Sequence, residues 1–555
     1  MAEPFNRRTL LARAAATAAG LAGVSALGVE LGGVAGAAST NGPGRNGISK
    51  ATPKKGGSLV FGVDAEESGF NPTTARFDEV GVMYARTVFD PLTIINAKGA
   101  WEPYLAQSVT PNADYTAWTI TVRPNVLFHD GTACDGAALT TNFEAQKASL
   151  LLGIILGPIV DSITQAGPLA VTITMKSPWV SFPLYLAGGI GGQSAYMCAP
   201  SMLSAKNGGT TQPVGTGPFV FKEWVPNSHF TATANPHYWR PGLPHLDEIT
   251  FKPIIDENAR AEALKSGTID IMVTDTPQII LQFRGNKDYA YIDDSAHIVG
   301  EPDMGCLLLN CGAAPFSNPT VRRAAAMAIN RTQYVKEIDE NVLPVSHGLF
   351  TPGSPFYSAT AYPAYNPTEA KKLVKQVEKS TGKPVSFTFG STNGPAAVRE
   401  QEYLQQALQE VGFVVKTNIV EQNDLVNDAL AGTFECLEWR QFGAVDPDLN
   451  YIFWSSTTIL SSTLSVNMAR NQDPQLQAAL ELGRTSTDTA ARAQAYQTVN
   501  KRLAIDLPYL WLDRSVWSVE STLKVQNWNN PTTPTGAPAF GMIAGSIWPT
   551  QIWLS

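Results

Sequence analysis

"PVSFTFGSTNGPAAVREQEYLQQALQEVGFVVKTNIV", Pro384–Val420, is the stretch that decides the fold class. Pro384–Ser391 reads as a strand, Ala396–Gly412 as a helix and Phe413–Val420 as a second strand. Strand–helix–strand is the repeating unit of a mostly parallel sheet covered by helices. The flanking segments keep this texture. Asn318–Ile338 reads as one helix with Asn318 as cap and Pro319 in the first turn. Asn366–Gly382 is another, with Pro367 near its start and Gly382 past its end. Asn423–Gly432 and Ala491–Leu507 add two more.

Upstream the texture differs. Gly57–Val63 is a short apolar run suited to a buried strand, and Phe77–Leu92 carries Val80, Met83, Tyr84 and Val88 near helical spacing. In Tyr115–Thr132 the residues Trp118, Ile120 and Val122 alternate with polar neighbours, and Leu169–Pro178 alternates likewise. Pro and Gly cluster in "PVGTGPF" (Pro213–Phe219) and "NPHYWRPGLPHLDEI" (Asn235–Ile249), where a boundary between lobes is expected.

A chain of 555 residues with 44% hydrophobic and 16% charged composition is globular and too long for one ordinary domain. Its net charge of −8 and the absence of a basic stripe argue against a nucleic-acid partner. The cysteines are Cys134, Cys198, Cys306, Cys311 and Cys436, with no CxxC and no zinc-ligand spacing; buried free thiols are expected. Residues 1–37 have paired arginines (Arg7 and Arg8), a long Ala/Gly/Leu-rich run and "AGA" at Ala35–Ala37. They read as a cleaved export signal of twin-arginine type. Residues 38–53 follow as a flexible lead-in. The first cysteine is Cys134, so a lipid anchor at the mature start is not expected.

Reaction machinery is hard to find. The six histidines form no HExxH and no His/Cys cluster, and no GxSxG elbow occurs. His129 in "FHDGT" reads as a turn histidine bonded to backbone rather than a base beside Asp130. "GTGPF" at Gly215 lacks the remaining residues of a phosphate loop. Asp293-Asp294 and Glu66-Glu67 read as solvated pairs. An exported binding protein is expected rather than an enzyme, with no cofactor and no metal. An unrecognised exported hydrolase or a ligand sensor stands as the alternative of another class.

Several segments together resemble the family 5 solute-binding proteins of ABC importers, the peptide/opine/nickel-binding group. They are "WTITVRPNVLFHDGTACDGAALTTNFE", "PVGTGPFVFKEWVPN", "NPHYWRPGLPHLDEITFKPI", "EALKSGTIDIM", "LLLNCGAAPFSNPTVRRAAAMAINR" and "YNPTEAKKLV". They cover the chain from about Lys54 to its end. The resemblance implies an α/β, two-lobed periplasmic-binding-protein-like fold (type II) with an extra subdomain inserted in lobe I. It places lobe I at 54–98, the inserted subdomain at 99–210, lobe I again at 211–310, lobe II at 311–510 and a return to lobe I at 511–555. It implies capture of a small-molecule or peptide ligand by hinge closure and delivery to ABC transporter permease subunits, by a monomer.

By the same resemblance, "EWRQFGAVDPDLNYIFW" (Glu438–Trp454) is a cleft-facing loop of lobe II. In dipeptide and oligopeptide receptors an acid in that loop pairs with the peptide's amino terminus. The matching position, four before Pro447, is Gly443. Asp446 matches a second acid that supports the turn, and Trp439, Arg440, Gln441 and Phe442 remain as wall residues. The slots of a carboxylate clamp fall at Ser391 and Asn393, both neutral. From lobe I, Phe70, Asn71 and Tyr84 are candidate cleft residues. With neither charge anchor, a neutral site is expected that binds free dipeptides poorly. Oligopeptide ranks first as ligand, then a neutral oligosaccharide or glycoside, or a metal chelate. Gly443→Asp is expected to restore affinity for ammonium-bearing ligands.

Overall fold

The computed structural model describes residues 46–75, 77–189, 192–295, 300–459 and 464–555. The export-signal reading of residues 1–37 therefore lies outside the described residues. Within Pro384–Val420 the strands Ser386–Thr392 and Val414–Val420 pair in parallel, joined by the helix Pro395–Glu410. That helix buries Ala397, Gln401, Leu404 and Leu408. The two leucines pack with Phe387 and Phe389 in one core, and each contributes about 1.5–3 kcal/mol by leaving water.

These strands belong to a five-stranded mixed sheet, ordered Val414–Val420, Ser386–Thr392, Cys436–Gln441, Met304–Leu309, Tyr509–Trp511. This is the frame of the second lobe. The first lobe is built on a seven-stranded sheet in which Ser58–Val63 lies parallel to both Glu248–Pro253 and Ile271–Thr274. Its outer strands are antiparallel, and one of them, Ser518–Thr522, returns from the C-terminal part of the chain. A four-stranded antiparallel sheet between Ala106 and Met175 forms the inserted subdomain, covered by the helix Gly136–Ala148.

The chain passes between the lobes twice, from Asp293 to Met304 and from Trp511 to Ser518. Met304–Leu309 lies in the second sheet, so the first crossing falls ahead of it and not at 310. The expected single helix Asn318–Ile338 is two helices, Pro319–Ala328 and Arg331–Glu337. Asn330 breaks it by accepting a hydrogen bond from the Gln333 amide at 3.1 Å, which caps the second helix. Among the described residues all five cysteines are free thiols, four of them buried.

Candidate functional site

Where the two lobes face each other they border a half-open cavity of about 660 Å³. The second lobe supplies the carboxyl ends of its parallel strands: Thr392 and Asn393 past one, Glu438, Trp439 and Arg440 at the end of another. Ligand crevices of open α/β sheets form at such strand ends. The first lobe supplies the turn after its first strand, Asp64–Ser68, and the start of the helix Glu79–Val88. The crossing segment adds Asp513, Ser515 and Trp517, and the inserted subdomain adds Leu151, Leu152 and Ile155.

The wall is acidic. Twelve carboxylates line the cavity among the described residues, against two guanidinium groups, Arg260 and Arg440. Neither arginine is uncommitted. Arg260 donates to the carbonyls of Ile254 at 2.6 Å and Val273 at 3.2 Å. Arg440, from the second lobe, pairs with Asp275 of the first, lies 3.9 Å from Glu79 and stacks 4.6 Å from the Trp517 ring centre. It is a strut between the lobes. The neutral, amide-lined site expected from sequence is thus overturned.

Acids gather in two groups. In lobe I, burial raises Glu67 well above its ordinary value, helped by the neighbouring Asp78, and raises Asp78 as well. Glu79 beside them is pushed up to about 8 by burial and by Asp303, against the pull of Arg440. In lobe II, Asp339, Glu400, Glu438 and Asp513 converge from a loop, a helix, a strand and the crossing segment. Burial is the first cause in each. It raises Asp513 to about 6, Glu438 to about 7 and Asp339 to about 9, and Glu400 well above its ordinary value. The nearby carboxylates raise Asp339 and Glu400 further. Tyr334 donates to Glu400 at 3.1 Å, and the Ser391 hydroxyl donates to Glu438.

Four residues expected in the wall are there: Asn393, Trp439, Arg440 and Phe442. The other seven do not line the cavity. Phe70 and Tyr84 are 2% and 3% exposed, tilted against each other at 5.8 Å inside the lobe I aromatic core. Asn71 is buried and ties its turn to Gly208 and Thr73. Gln441 is buried, paired with Met304 across the sheet. Ser391 is fully buried behind Glu438. Asp446 is held bidentately by Arg492 at 2.9 and 3.0 Å. Gly443 is pressed against the first crossing: a Cβ there would fall 2.2 Å from the Glu301 carbonyl oxygen, so no side chain fits. It is glycine because two backbones touch, and an aspartate could not replace it.

Asp339, Glu400, Glu438 and Asp513, which line the cavity, were not singled out from sequence. A signal exists for two of them. Glu438 interrupts the apolar run "CLEW" and Asp513 ends the apolar "YLWLD", where strands carry few charges. Ser391 and Glu438 resemble a nucleophile–base pair, but the hydroxyl is 0% exposed and out of a substrate's reach. His129 is fixed by backbone: its Nε2 lies 3.0 Å from the Gly217 oxygen and the Gly215 amide points at Nδ1. Burial lowers it to about 4.

Across residues 100–460 the chain matches the family model described as bacterial extracellular solute-binding proteins, family 5 Middle. The chain belongs to this family. Among its relatives is the glutathione-binding protein GsiB of Pectobacterium atrosepticum, 28% identical over 431 residues, covering 74% of this chain and 79% of the relative. The di/tripeptide-binding protein 2 of Pseudomonas aeruginosa is 24% identical over 491 residues, covering 83% and 90%. Two solved family 5 folds superpose with a TM-score of 0.78. One is the Helicobacter pylori periplasmic binding protein DppA in complex with the peptide STSA, 22% identical, covering 90% of this chain and 98% of that one. The other is the Bacillus subtilis oligopeptide-binding protein AppA in complex with a nonapeptide, 20% identical, covering 91% and 100%. The two-lobed α/β fold of family 5 is therefore the fold of this chain. Among the described residues no helix is long and apolar enough to cross a membrane, and no group of three or more His, Cys, Asp or Glu side chains is arranged to hold a metal ion.

Proposed function

We propose that this family 5 protein is the extracytoplasmic receptor of an ABC importer, capturing a peptide between its lobes and presenting the closed form to the permease. The observation that carries the reading is the half-open cavity at the strand ends, with walls contributed by both lobes. A ligand touching both walls stabilises the closed form by its differential contact with that form. Peptide ligands of the relatives and the fold neighbours support the choice of substrate class. The paired arginines Arg7 and Arg8 support export by a twin-arginine signal.

Native mass spectrometry of the protein purified from its own host tests this. Retained peptides of a few residues support it; a retained sugar, or a bound species chemically altered by the protein, contradicts it.

A further inference from the structure

Strand alternation gives the cavity two unlike sides. On the strand Cys436–Gln441, Glu438 shares the face of Cys436, which packs in the core beneath the helix Pro395–Glu410. Leu437 and Trp439 point the other way, into the core that holds Leu152, Leu425 and Phe453. The cavity wraps this end of the sheet, so one side is acidic and the other apolar.

On the acidic side Asp339 and Asp513 are 1% and 4% exposed. Among the described residues none of Asp339, Glu400, Glu438 and Asp513 makes an ion pair. Three guanidinium groups nearby have partners elsewhere, though the Arg514 Nη1 has no hydrogen-bond partner. Arg440 pairs with Asp275, Arg399 donates to Gln278 at 3.2 Å and Arg514 donates to the Gly348 carbonyl at 2.8 Å. Two of the acids have a neutral donor: Ser391 for Glu438 and Tyr334 for Glu400. Asp339 differs. It lines the cavity, and its Oδ2 is buried with no hydrogen-bond partner. A buried carboxylate oxygen without a donor is costly, and a cation placed there by a ligand would satisfy it.

We infer that Asp339, Glu400, Glu438 and Asp513 seat a cationic group of the ligand, an ammonium or guanidinium, while a bulky apolar group of the same ligand lies against Leu152, Leu425, Trp439 and Phe453. This rests on the solute-binding reading above and narrows it to amphipathic cations. The seat replaces the loop position at Gly443, where the backbone leaves no room for an acid. The cation can be a peptide's amino terminus or a Lys or Arg side chain; both present the same chemistry.

Calorimetric titration with four probes tests it: Leu-Phe-Leu amide, its N-acetyl form, N-acetyl-Lys-Phe-Leu amide and tryptamine. At least one cationic peptide should bind about tenfold or more tighter than the neutral acetylated one. The first and third probes tell amino terminus from side chain. The double variant Asp339→Asn, Glu438→Gln should lose that preference while its melting temperature stays level or rises, which a merely structural role would not produce. Equal binding of the neutral and cationic peptides, or an unchanged preference in the variant, overturns the seat. Tryptamine binding without any peptide binding contradicts the peptide reading and leaves the seat standing; failure of all four overturns the seat.

Discussion

Two sets of carboxylates in the second lobe, buried or half-buried, have opposite circumstances. Asp446 and Asp448 sit in the turn after the Cys436–Gln441 strand, each with its own arginine. Arg492 grips Asp446, and Arg484 donates to Asp448 at 2.9 Å. Asp448 also accepts from Trp179 Nε1 at 2.7 Å and from the Ser181 hydroxyl, which fastens the inserted subdomain to lobe II. A few residues away, Asp339, Glu400, Glu438 and Asp513 crowd together without an ion pair among the described residues. Where the chain provides the counter-cation, a buried acid is structural. Where it gathers acids without an ion pair, the fold bears a cost that a proton or a bound cation relieves.

The comparison breaks most visibly on its paired side. Arg484→Met strands Asp448 in the interior and should cost about 3–5 kcal/mol in denaturant unfolding. A loss under about 1 kcal/mol would show that this contact is not a fastener. Gly443→Asp forces a side chain into the backbone of the first crossing and should destabilise by about 1–3 kcal/mol with no gain in affinity for ammonium ligands. Tighter ammonium binding by that variant would restore the loop anchor and remove the need for the seat.

On the unpaired side the effects are smaller and of opposite sign. The folded protein holds protons on these acids more tightly than the unfolded chain does. Stability therefore falls as pH rises through the interval between their ordinary values and about 6 for Asp513, 7 for Glu438 and 9 for Asp339. The ligand-free protein should melt higher at pH 5.5 than at pH 8.5, and Glu438→Gln should flatten that slope. A melting temperature that climbs across the interval would contradict the burial of unpaired acids. The smallest effect belongs to Arg440, partly exposed in its pair with Asp275. Arg440→Met should cost under about 1 kcal/mol, and less at high salt, with its main consequence a weaker closed form in small-angle scattering.

Much of the fold was legible because it repeats local rules. Pro384–Val420 changes from strand to helix to strand within one segment, and Asn366, Pro367 and Gly382 bound their helix as capping chemistry requires. The break at Asn330 was missed because an asparagine inside an apolar helical pattern caps only when its side chain folds back. The site was less legible. Phe70 and Tyr84 follow the right strand and helix, yet an aromatic carries no mark that tells core from cleft. Gly443 reads as a lost acid in one dimension and as a close approach in three. The four seat acids are separated by up to 174 positions, from Asp339 to Asp513, and nothing local says that they meet.

Counting protons during ligand binding tests the seat most directly. A cationic probe that binds, chosen to stay protonated throughout, is titrated at pH 7 in two buffers of different ionisation enthalpy. Burial keeps protons on Asp339 and part of Glu438 in the free protein, so an arriving cation should expel them and the titrations should show net proton release. Zero release, or uptake, would contradict the claim that these four carboxyl groups receive the ligand's charge.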